Sequence, residues 1–344
     1  MNNSIIPENK SEKQMRSRFF FSLTLLLPFL FLSCSPGHPL DKKEALNSLK
    51  ILNGDMIVFI KSLSERRGSK ALVFLMKQAS APLPFIIDTT GRPGFVSDFS
   101  FSSRKGIYRW DTVSMTFVKE KDTALILIRF PMPGQSGTKC LFFLYDFEFG
   151  KTRTKKAFPV KILAKLFAGD KEVLSISHKA GISEEMISKI SSEIIIDSLR
   201  GLFELKREGS FTVKSGLLSS SISIYDGFNV VLRSNMDIDI DYHPPFTYSF
   251  QHIRIQQKLF TTELSGRIDY GSINPTSNEY DQEFNKNTRL ELLNQEDHGL
   301  IGNIVLSPAG VEGRFDYFIR FSDKSESRLT DQVPVLRKLF NYLQ

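Results

Sequence analysis

The sequence predicts a mainly β protein: an antiparallel meander sheet or a sandwich, preceded by an N-terminal helical hairpin and followed by a C-terminal helix. From about residue 85, apolar residues recur at every second position, as in half-buried strands. Turn-forming pairs such as Pro133-Gly134, Asp226-Gly227 and Asn274-Pro275 separate these runs. Near both ends of residues 41–344, apolar residues instead recur every three or four positions, which indicates helices.

The chain opens with a segment typical of a secretory signal. Lys10, Lys13, Arg16 and Arg18 precede residues 19–32 (FFFSLTLLLPFLFL), which carry no charge. A basic flank before a short apolar run favours a signal peptide over a transmembrane helix. We therefore expect residues 1–33 to be cleaved. Met15 is an alternative start, because the signal that begins there has ordinary proportions.

The apolar run ends in Phe31-Leu32-Ser33-Cys34, which resembles the lipobox of bacterial lipoproteins. The resemblance implies cleavage just before Cys34, whose thiol then takes a diacylglycerol. Residues 34–40 would form a lipid-anchored tether, and residues 41–344 the β-rich domain. Ser35 after the cysteine implies the outer membrane, and we expect the domain to face the periplasm. The alternative is a secreted protein cleaved nearby, or an uncleaved anchor.

Composition limits the function classes. With 45 Lys and Arg against 38 Asp and Glu, the formal net charge is +7, which gives no strong attraction to nucleic acid. The expected partners are the membrane, through Cys34, and an apolar ligand or an envelope protein. If Cys34 is lipidated, Cys140 has no partner for a disulfide, so the core must stabilise the domain.

Two N-terminal helices are predicted. Asp41, three residues before Glu44, is a capping pattern, and one apolar face follows: Leu46, Leu49, Leu52, Met56, Phe59 and Leu63. A second helix is predicted from Ser69, and Pro82 and Pro84 end it. Residues 66–68 form the turn of this helical hairpin.

The strand-like runs follow one another along the rest of the chain. Residues 123–130 and 140–149 are apolar on both faces and indicate central strands, whereas residues 236–242 alternate strictly. Residues 181–208 fit either a helix or two strands, and the sequence leaves open whether the domain divides into two lobes there. Thr330 is predicted to cap the C-terminal helix, whose apolar stripe is Val333, Leu336, Leu339, Phe340 and Leu343.

Three short segments carry a second, loose resemblance. Residues 106–111 (GIYRWD), 126–131 (ILIRFP) and 264–269 (LSGRID) look like segments of uncharacterised β-rich lipoproteins of Gram-negative bacteria. The resemblance implies one extended β-rich unit and no particular activity.

Common catalytic signatures are absent from the sequence, including H-E-x-x-H, G-x-S-x-G and the phosphate-binding loop. We therefore predict no catalytic residue, no enzyme activity and no cofactor. The expected function is that of a non-catalytic binding or structural module of the cell envelope. The alternative is an envelope glycan hydrolase that uses paired carboxylates, whose identity depends on a separation that the sequence does not give.

Two charged clusters are candidate sites. Asp237, Asp239 and Asp241 lie on one face of a predicted strand, about 7 Å apart along it. A metal site is one interpretation, but charge pairs across strands, with Arg254 as a partner, fit the extended pattern better. The basic residues Lys151, Arg153, Lys155 and Lys156, with Lys161 and Lys165 beyond them, form either a contact with an anionic membrane surface or an exposed hairpin and sheet edge.

Aromatic residues are abundant, with 30 Phe in the chain, and Phe142, Phe143, Tyr145, Phe147 and Phe149 share one predicted strand. A strand that is apolar on both faces needs a covering layer on each. We expect helices or a second sheet to cover it; the alternative is a concave apolar pocket for a lipid or another hydrophobic ligand. Cys140, among apolar neighbours, is predicted to be a core thiol.

Overall fold

The computed structural model describes residues 38–337, except residues 89–90, 97, 153–156, 185, 211–212, 244–246, 275 and 309–314. Strands account for 57% of the residues, which confirms the mainly β class. The predicted signal segment, Cys34 and the last residues of the predicted C-terminal stripe (Leu339, Phe340 and Leu343) lie outside the described residues.

Helices are few and mostly short. The described residues contain α1 (Lys42–Glu65), α2 (Arg67–Lys77), α3 (Phe101–Arg104), α4 (Tyr280–Lys286), α5 (Leu329–Gln332) and a 3-10 turn at Tyr270–Ser272. The predicted start of α1 is confirmed: the Asp41 carboxylate accepts a hydrogen bond from the Glu44 backbone N–H at 2.8 Å, and the Glu44 side chain accepts from the Asp41 N–H at 3.3 Å. No helix of the described part is both long and apolar enough to cross a membrane.

Eighteen strands are present among the described residues. They are β1 (Phe85–Ile87), β2 (Pro93–Phe95), β3 (Gly106–Asp111), β4 (Thr116–Lys121), β5 (Ile126–Pro131), β6 (Lys139–Lys151), β7 (Ala157–Ala168), β8 (Lys171–Ser183), β9 (Met186–Ile196), β10 (Leu199–Ser210), β11 (Val213–Asp226), β12 (Asn229–His243), β13 (Thr247–Leu259), β14 (Thr262–Asp269), β15 (Thr288–Asn294), β16 (Leu300–Pro308), β17 (Phe315–Arg320) and β18 (Glu326–Arg328).

Strands β3–β18 form one sheet of 16 strands within the described residues, and β1 and β2 form a separate pair. From β5 to β18 each strand pairs antiparallel with its neighbour in sequence, so the predicted meander is correct and the sandwich alternative is wrong. The exception lies at the β3 end, where β3 pairs in parallel with β5 and antiparallel with β4. The sheet is therefore mixed, because β4 folds back to the outer side of β3.

The ambiguous region 181–208 belongs to strands. Residues 186–196 and 199–210 are β9 and β10, and the helix alternative is wrong for them. The apolar spacing at Ile187, Ile190 and Ile194 mimics a helical face, but β9 pairs along its length with β8 and β10, with one register shift on the β8 side. The sheet runs through this region, while the domain boundaries and the two-lobe question stay predictions.

Two large core clusters lie on one face of the sheet, which we call the inner face. The first packs α2, through Ala71 and Leu75, on strands β3–β8; Phe142, Leu144 and Leu166 are fully buried there. The second packs α1, through Leu49, Leu52 and Met56, on strands β15–β17. Two consecutive helices therefore occur where a hairpin is predicted, but they pack on different clusters, and hairpin packing is not shown.

The middle of the sheet is thinly covered. In the described part of β9–β11, the buried hydrophobic residues are Ile190 and Leu199, and the other side chains are half-buried or exposed on both faces. A small cluster of Ile238, Ile240 and Tyr242 follows on β12. The molecule thus has two well-packed regions joined by strands with little packed around them.

The C-terminal helix differs in detail from the prediction. Thr330 does not cap the helix but lies within α5, and the helix breaks at Val333 before a helical segment over residues 334–337. Pro334 explains the break, because its ring removes a backbone donor and disfavours helical geometry at the preceding residue. Val333 and Leu336 pack on the second core cluster as the apolar stripe predicts.

Candidate apolar binding site

A cavity of about 340 Å³ lies between α1 and the inner face of β13–β17. Strand alternation supplies its floor: Ile255, Gln257 and Leu259 occupy every second position of β13 and so point to the same side. The other lining residues are Leu52, Met56, Thr262, Leu264, Ile268, Phe284, Leu290, Leu292, Ile304, Tyr317, Leu329 and Leu336. The volume falls within the range of small-molecule pockets, roughly 300–1,000 Å³.

Gly266 helps to explain why space remains at this point. It lies between Leu264 and Ile268 on β14 and pairs with Ile255 on one side and Leu290 on the other. It therefore contributes no side chain to the floor, where every neighbour is apolar. Its φ of +149° and the close backbone oxygen of Arg289 leave no room for a Cβ atom.

Three lining side chains are polar and none is charged. The Thr262 hydroxyl donates to the Leu259 carbonyl at 3.0 Å and is thereby satisfied. The half-buried Gln257 amide has no hydrogen-bond partner within the described chain, and Tyr317 is 43% exposed at the opening. The site offers apolar surface with one free amide, which suits a largely apolar, uncharged group.

The aromatic strand at which the sequence allows a pocket is instead covered. Phe142 and Phe147 are buried in the first core cluster, where Phe85 and Phe99 stack edge-on against them. Phe143 and Tyr145 lie on the opposite face and stack on each other at 5.6 Å. The prediction that this strand is covered is confirmed on the inner face, and the apolar hollow lies near the other end of the sheet.

Asp239, in the middle of the aspartate row, forms ion pairs with residues of the neighbouring strand. Asp239 accepts two hydrogen bonds from the Arg254 guanidinium, at 2.9 and 3.0 Å, and these bonds raise the pKa of Arg254. His252 approaches the same carboxylate at 3.5 Å, and Asp237 pairs in register with Arg254. Asp241 lies opposite Ser249. Among the described residues, no group of three or more His, Cys, Asp or Glu is arranged to hold a metal ion.

The basic segment is only partly described. Lys151 ends β6, and Arg153, Lys155 and Lys156 lie outside the described residues. Lys161 pairs with Asp146 at 2.5 Å, which raises the pKa of Lys161, and Lys165 pairs with Glu172 at 2.7 Å. The sheet-edge interpretation is wrong, because β6 and β7 lie inside the sheet with a paired strand on each side.

Cys140 is a free, fully buried cysteine, as predicted. Burial raises the pKa of its thiol to about 11, so the group stays protonated near neutral pH. Its Sγ lies 3.4 Å from the sulfur of Met132 within the first core cluster. This position suits packing and not nucleophilic chemistry.

Sequence reasoning missed the cavity itself. Gln257 and Thr262 are polar positions on the otherwise apolar face of β13 and β14, and Gly266 interrupts that face. These three interruptions of an apolar face were the sequence signal for the cavity. The sequence alone does not show that they lie together, because it does not give the pairing register of β13 with β14. No family model, curated protein or solved structure matches this chain.

Proposed function

We propose that this protein is a lipid-anchored lipoprotein of the cell envelope, acylated at Cys34, which holds an apolar ligand in the cavity beneath α1. The observation that carries the ligand proposal is an uncharged cavity of about 340 Å³ within a folded core. An apolar group that enters such a cavity gains dispersion contacts with its apolar lining. The protein is non-catalytic, uses no cofactor and does not bind nucleic acid.

The anchor proposal is supported by the segment that ends in Phe31-Leu32-Ser33-Cys34. Acyl chains at this position hold the domain at the outer membrane, on the periplasmic side. The two-helix start, with a tether of a few residues before α1, keeps the cavity close to the bilayer from which an apolar ligand comes.

The glycan hydrolase alternative has no support at the cavity. The described residues that line it include no carboxylate, so it offers no acid–base pair for glycoside hydrolysis. Where carboxylates do gather, at Asp239 and its neighbours, cationic side chains already pair with them.

Binding of the neutral fluorescent probe N-phenyl-1-naphthylamine tests the ligand proposal. Ile255→Trp fills the floor of the cavity and should weaken probe binding at least tenfold. Gln256→Trp is the matched control, because the next residue of a strand points to the opposite face and its side chain should leave binding unchanged. Both variants are compared with the wild-type chain by fluorescence titration. Thermal unfolding midpoints are measured first, to confirm that each variant is folded.

Equal probe binding by the wild type and by Ile255→Trp would contradict the proposal. Mass spectrometry of lipid that is bound non-covalently and extracted from the purified protein provides an independent measurement. Wild-type protein purified from membranes should carry a bound apolar molecule that the Ile255→Trp protein lacks.

Metabolic labelling with palmitate tests the anchor separately. The wild-type protein should incorporate label, and Cys34→Ser should not, because the acylated thiol is then missing. Ser35→Ala serves as the control and should be labelled like the wild type. An unlabelled wild-type protein would contradict acylation without bearing on the cavity.

A further inference from the structure

The outward face of α1 combines lysines with exposed branched apolar residues. Ile51 and Val58 are seven residues apart and share one line along the helix; they are 46% and 68% exposed. On the adjacent line Lys43, Lys50 and Ile57 follow at the same spacing, and Lys61 comes one turn later. We call these residues the α1 outer face.

Neither packing nor helix propensity explains this face. Ile and Val are poorer helix formers than Ala, Leu or Lys, so at exposed positions they contribute nothing to α1 itself. Lys43, Lys50 and Lys61 form no ion pair within the described residues, in contrast to Lys42, which approaches Asp323 at 3.8 Å. A long-stemmed lysine beside an exposed apolar side chain is instead typical of helices that lie in a membrane interface.

An aromatic residue is also exposed close to the C-terminal end of α1. Phe228 forms the tip of the β11–β12 turn and is fully exposed. Arg66, which caps α1, joins this turn to the helix: its guanidinium donates to Asp226 at 2.6 Å and to Ser198 at 2.8 Å. The C-terminal end of α1 is therefore fixed beside Phe228.

The described chain begins at the N-terminal end of α1. This point lies at the same end of the strands as the β11–β12 turn. His38 accepts a backbone hydrogen bond from Leu300 at 2.8 Å, and Leu40 donates to Leu300 at 3.0 Å. Leu300 directly follows the β15–β16 turn, which lies at the same end of the strands as the β11–β12 turn. Residue 34 lies four positions before His38, which is held on Leu300, so it is at most about 14 Å from this point of the sheet.

We propose that the α1 outer face, together with Phe228, lies against the surface of an anionic lipid bilayer. The orientation rests on the anchor proposed above, because the tether brings this end of the sheet within reach of the membrane. The helix is about 36 Å long and would lie along the surface. Its lysines face lipid phosphates, and Val58, Ile57 and Phe228 enter the apolar boundary.

Vesicle sedimentation of the mature chain carrying Cys34→Ser tests the surface without any acyl chain. Vesicles of phosphatidylethanolamine with 30% phosphatidylglycerol are the probe, and phosphatidylcholine vesicles are the reference. The chain should bind the anionic vesicles and bind phosphatidylcholine at least tenfold more weakly. Replacing Lys43, Lys50 and Lys61 by Gln should weaken binding by roughly fivefold for each lysine removed.

The apolar part is tested by Val58→Glu combined with Phe228→Ser, which should abolish sedimentation. Val113→Glu is the matched control, since Val113 is 91% exposed at the β3–β4 turn, away from α1. Gln substitution of the exposed residues Lys179, Lys189 and Lys214 is the control for the lysines. Thermal midpoints confirm that each variant is folded.

The proposal is overturned if the unacylated chain fails to bind anionic vesicles, or if Val58→Glu with Phe228→Ser binds as the wild type does. It is also overturned if that double variant changes only the oligomeric state, which would identify the face as an interface between copies. Failure of palmitate labelling, with vesicle binding intact, would remove the anchor and leave the surface contact.

Discussion

Two glycines in the N-terminal helices have opposite surroundings. Gly68, in the first turn of α2, is buried against β8, and a Cβ atom there would collide with the backbone oxygen of Val173. Gly54, in the middle of α1, has nothing within 4 Å of the corresponding position. Close approach of helix and strand thus requires glycine at residue 68 only.

The two alanine substitutions should therefore change stability in opposite directions. Gly68→Ala forces α2 away from β8 and should destabilise the protein by about 1–3 kcal/mol. Gly54→Ala should stabilise it by about 0.5–1 kcal/mol, because alanine loses less conformational entropy in a helix. Urea unfolding monitored by circular dichroism measures both, and a Gly68→Ala protein as stable as the wild type would contradict the packing of α2.

At the scale of single residues, the sequence predicted features that depend on near neighbours. Three of these features depend only on spacing or on adjacent strands: the Asp41–Glu44 cap, the buried Cys140 and the pairing of Asp239 with Arg254. The contact of Arg66 with Asp226 was not predictable, because 160 residues separate the partners and only the finished sheet brings them together.

At the scale of elements, charged residues form ladders across strands on the face of the sheet opposite the inner face. Arg254, Arg267 and Arg289 lie side by side on β13, β14 and β15. Asp239 pairs with Arg254 and Glu291 pairs with Arg289, which offsets the repulsion between the neighbouring guanidinium groups. Asp239 is therefore already paired within the sheet and has little capacity left for a cation.

Calcium should accordingly leave the protein unaffected. About 5 mM Ca²⁺ exceeds the dissociation constants of even weak protein calcium sites, which reach roughly 1 mM. Adding it should not shift the thermal midpoint, because the Arg254 guanidinium already neutralises Asp239. Arg254→Ala should lower stability by no more than about 1 kcal/mol, as expected for an exposed pair. A calcium-dependent rise in the midpoint, measured by differential scanning fluorimetry against an Mg²⁺ control, would restore the metal-site interpretation.

Element types followed from periodicity, whereas element partners did not. Period-two runs predicted most strands, and the helical spacing predicted α1 and α2. The parallel pairing of β3 with β5 was not predictable, because a short turn normally joins antiparallel neighbours. Region 181–208 was ambiguous because isoleucines three and four apart fit both a helix and a strand with one half-buried face.

At the scale of the whole molecule, packing is concentrated near the two ends of the strand order. α2 covers β3–β8, α1 covers β15–β17, and the strands between them have few buried side chains. Local stability follows buried contacts, so the sheet should open most readily in its middle.

Amide hydrogen exchange should show this difference. Peptides from β10 and β11 should exchange at least tenfold faster than those from β6, β7 and β16, which have buried neighbours on the inner face. Mass spectrometry of the native protein over a time course measures the rates. Uniform protection across the sheet would show that the middle strands are as strongly held as the two clusters.

The packing of α1 on β15–β17 also constrains the order in which the chain folds. From β5 onward each strand pairs with the one just made, so most of the meander can form progressively as the polypeptide emerges. Leu49, Leu52 and Met56 are synthesised early, but the strands on which they pack, β15–β17, are synthesised more than 200 residues later. Helix α1 is consequently sheltered late, and until then its apolar stripe is open to chaperones and proteases.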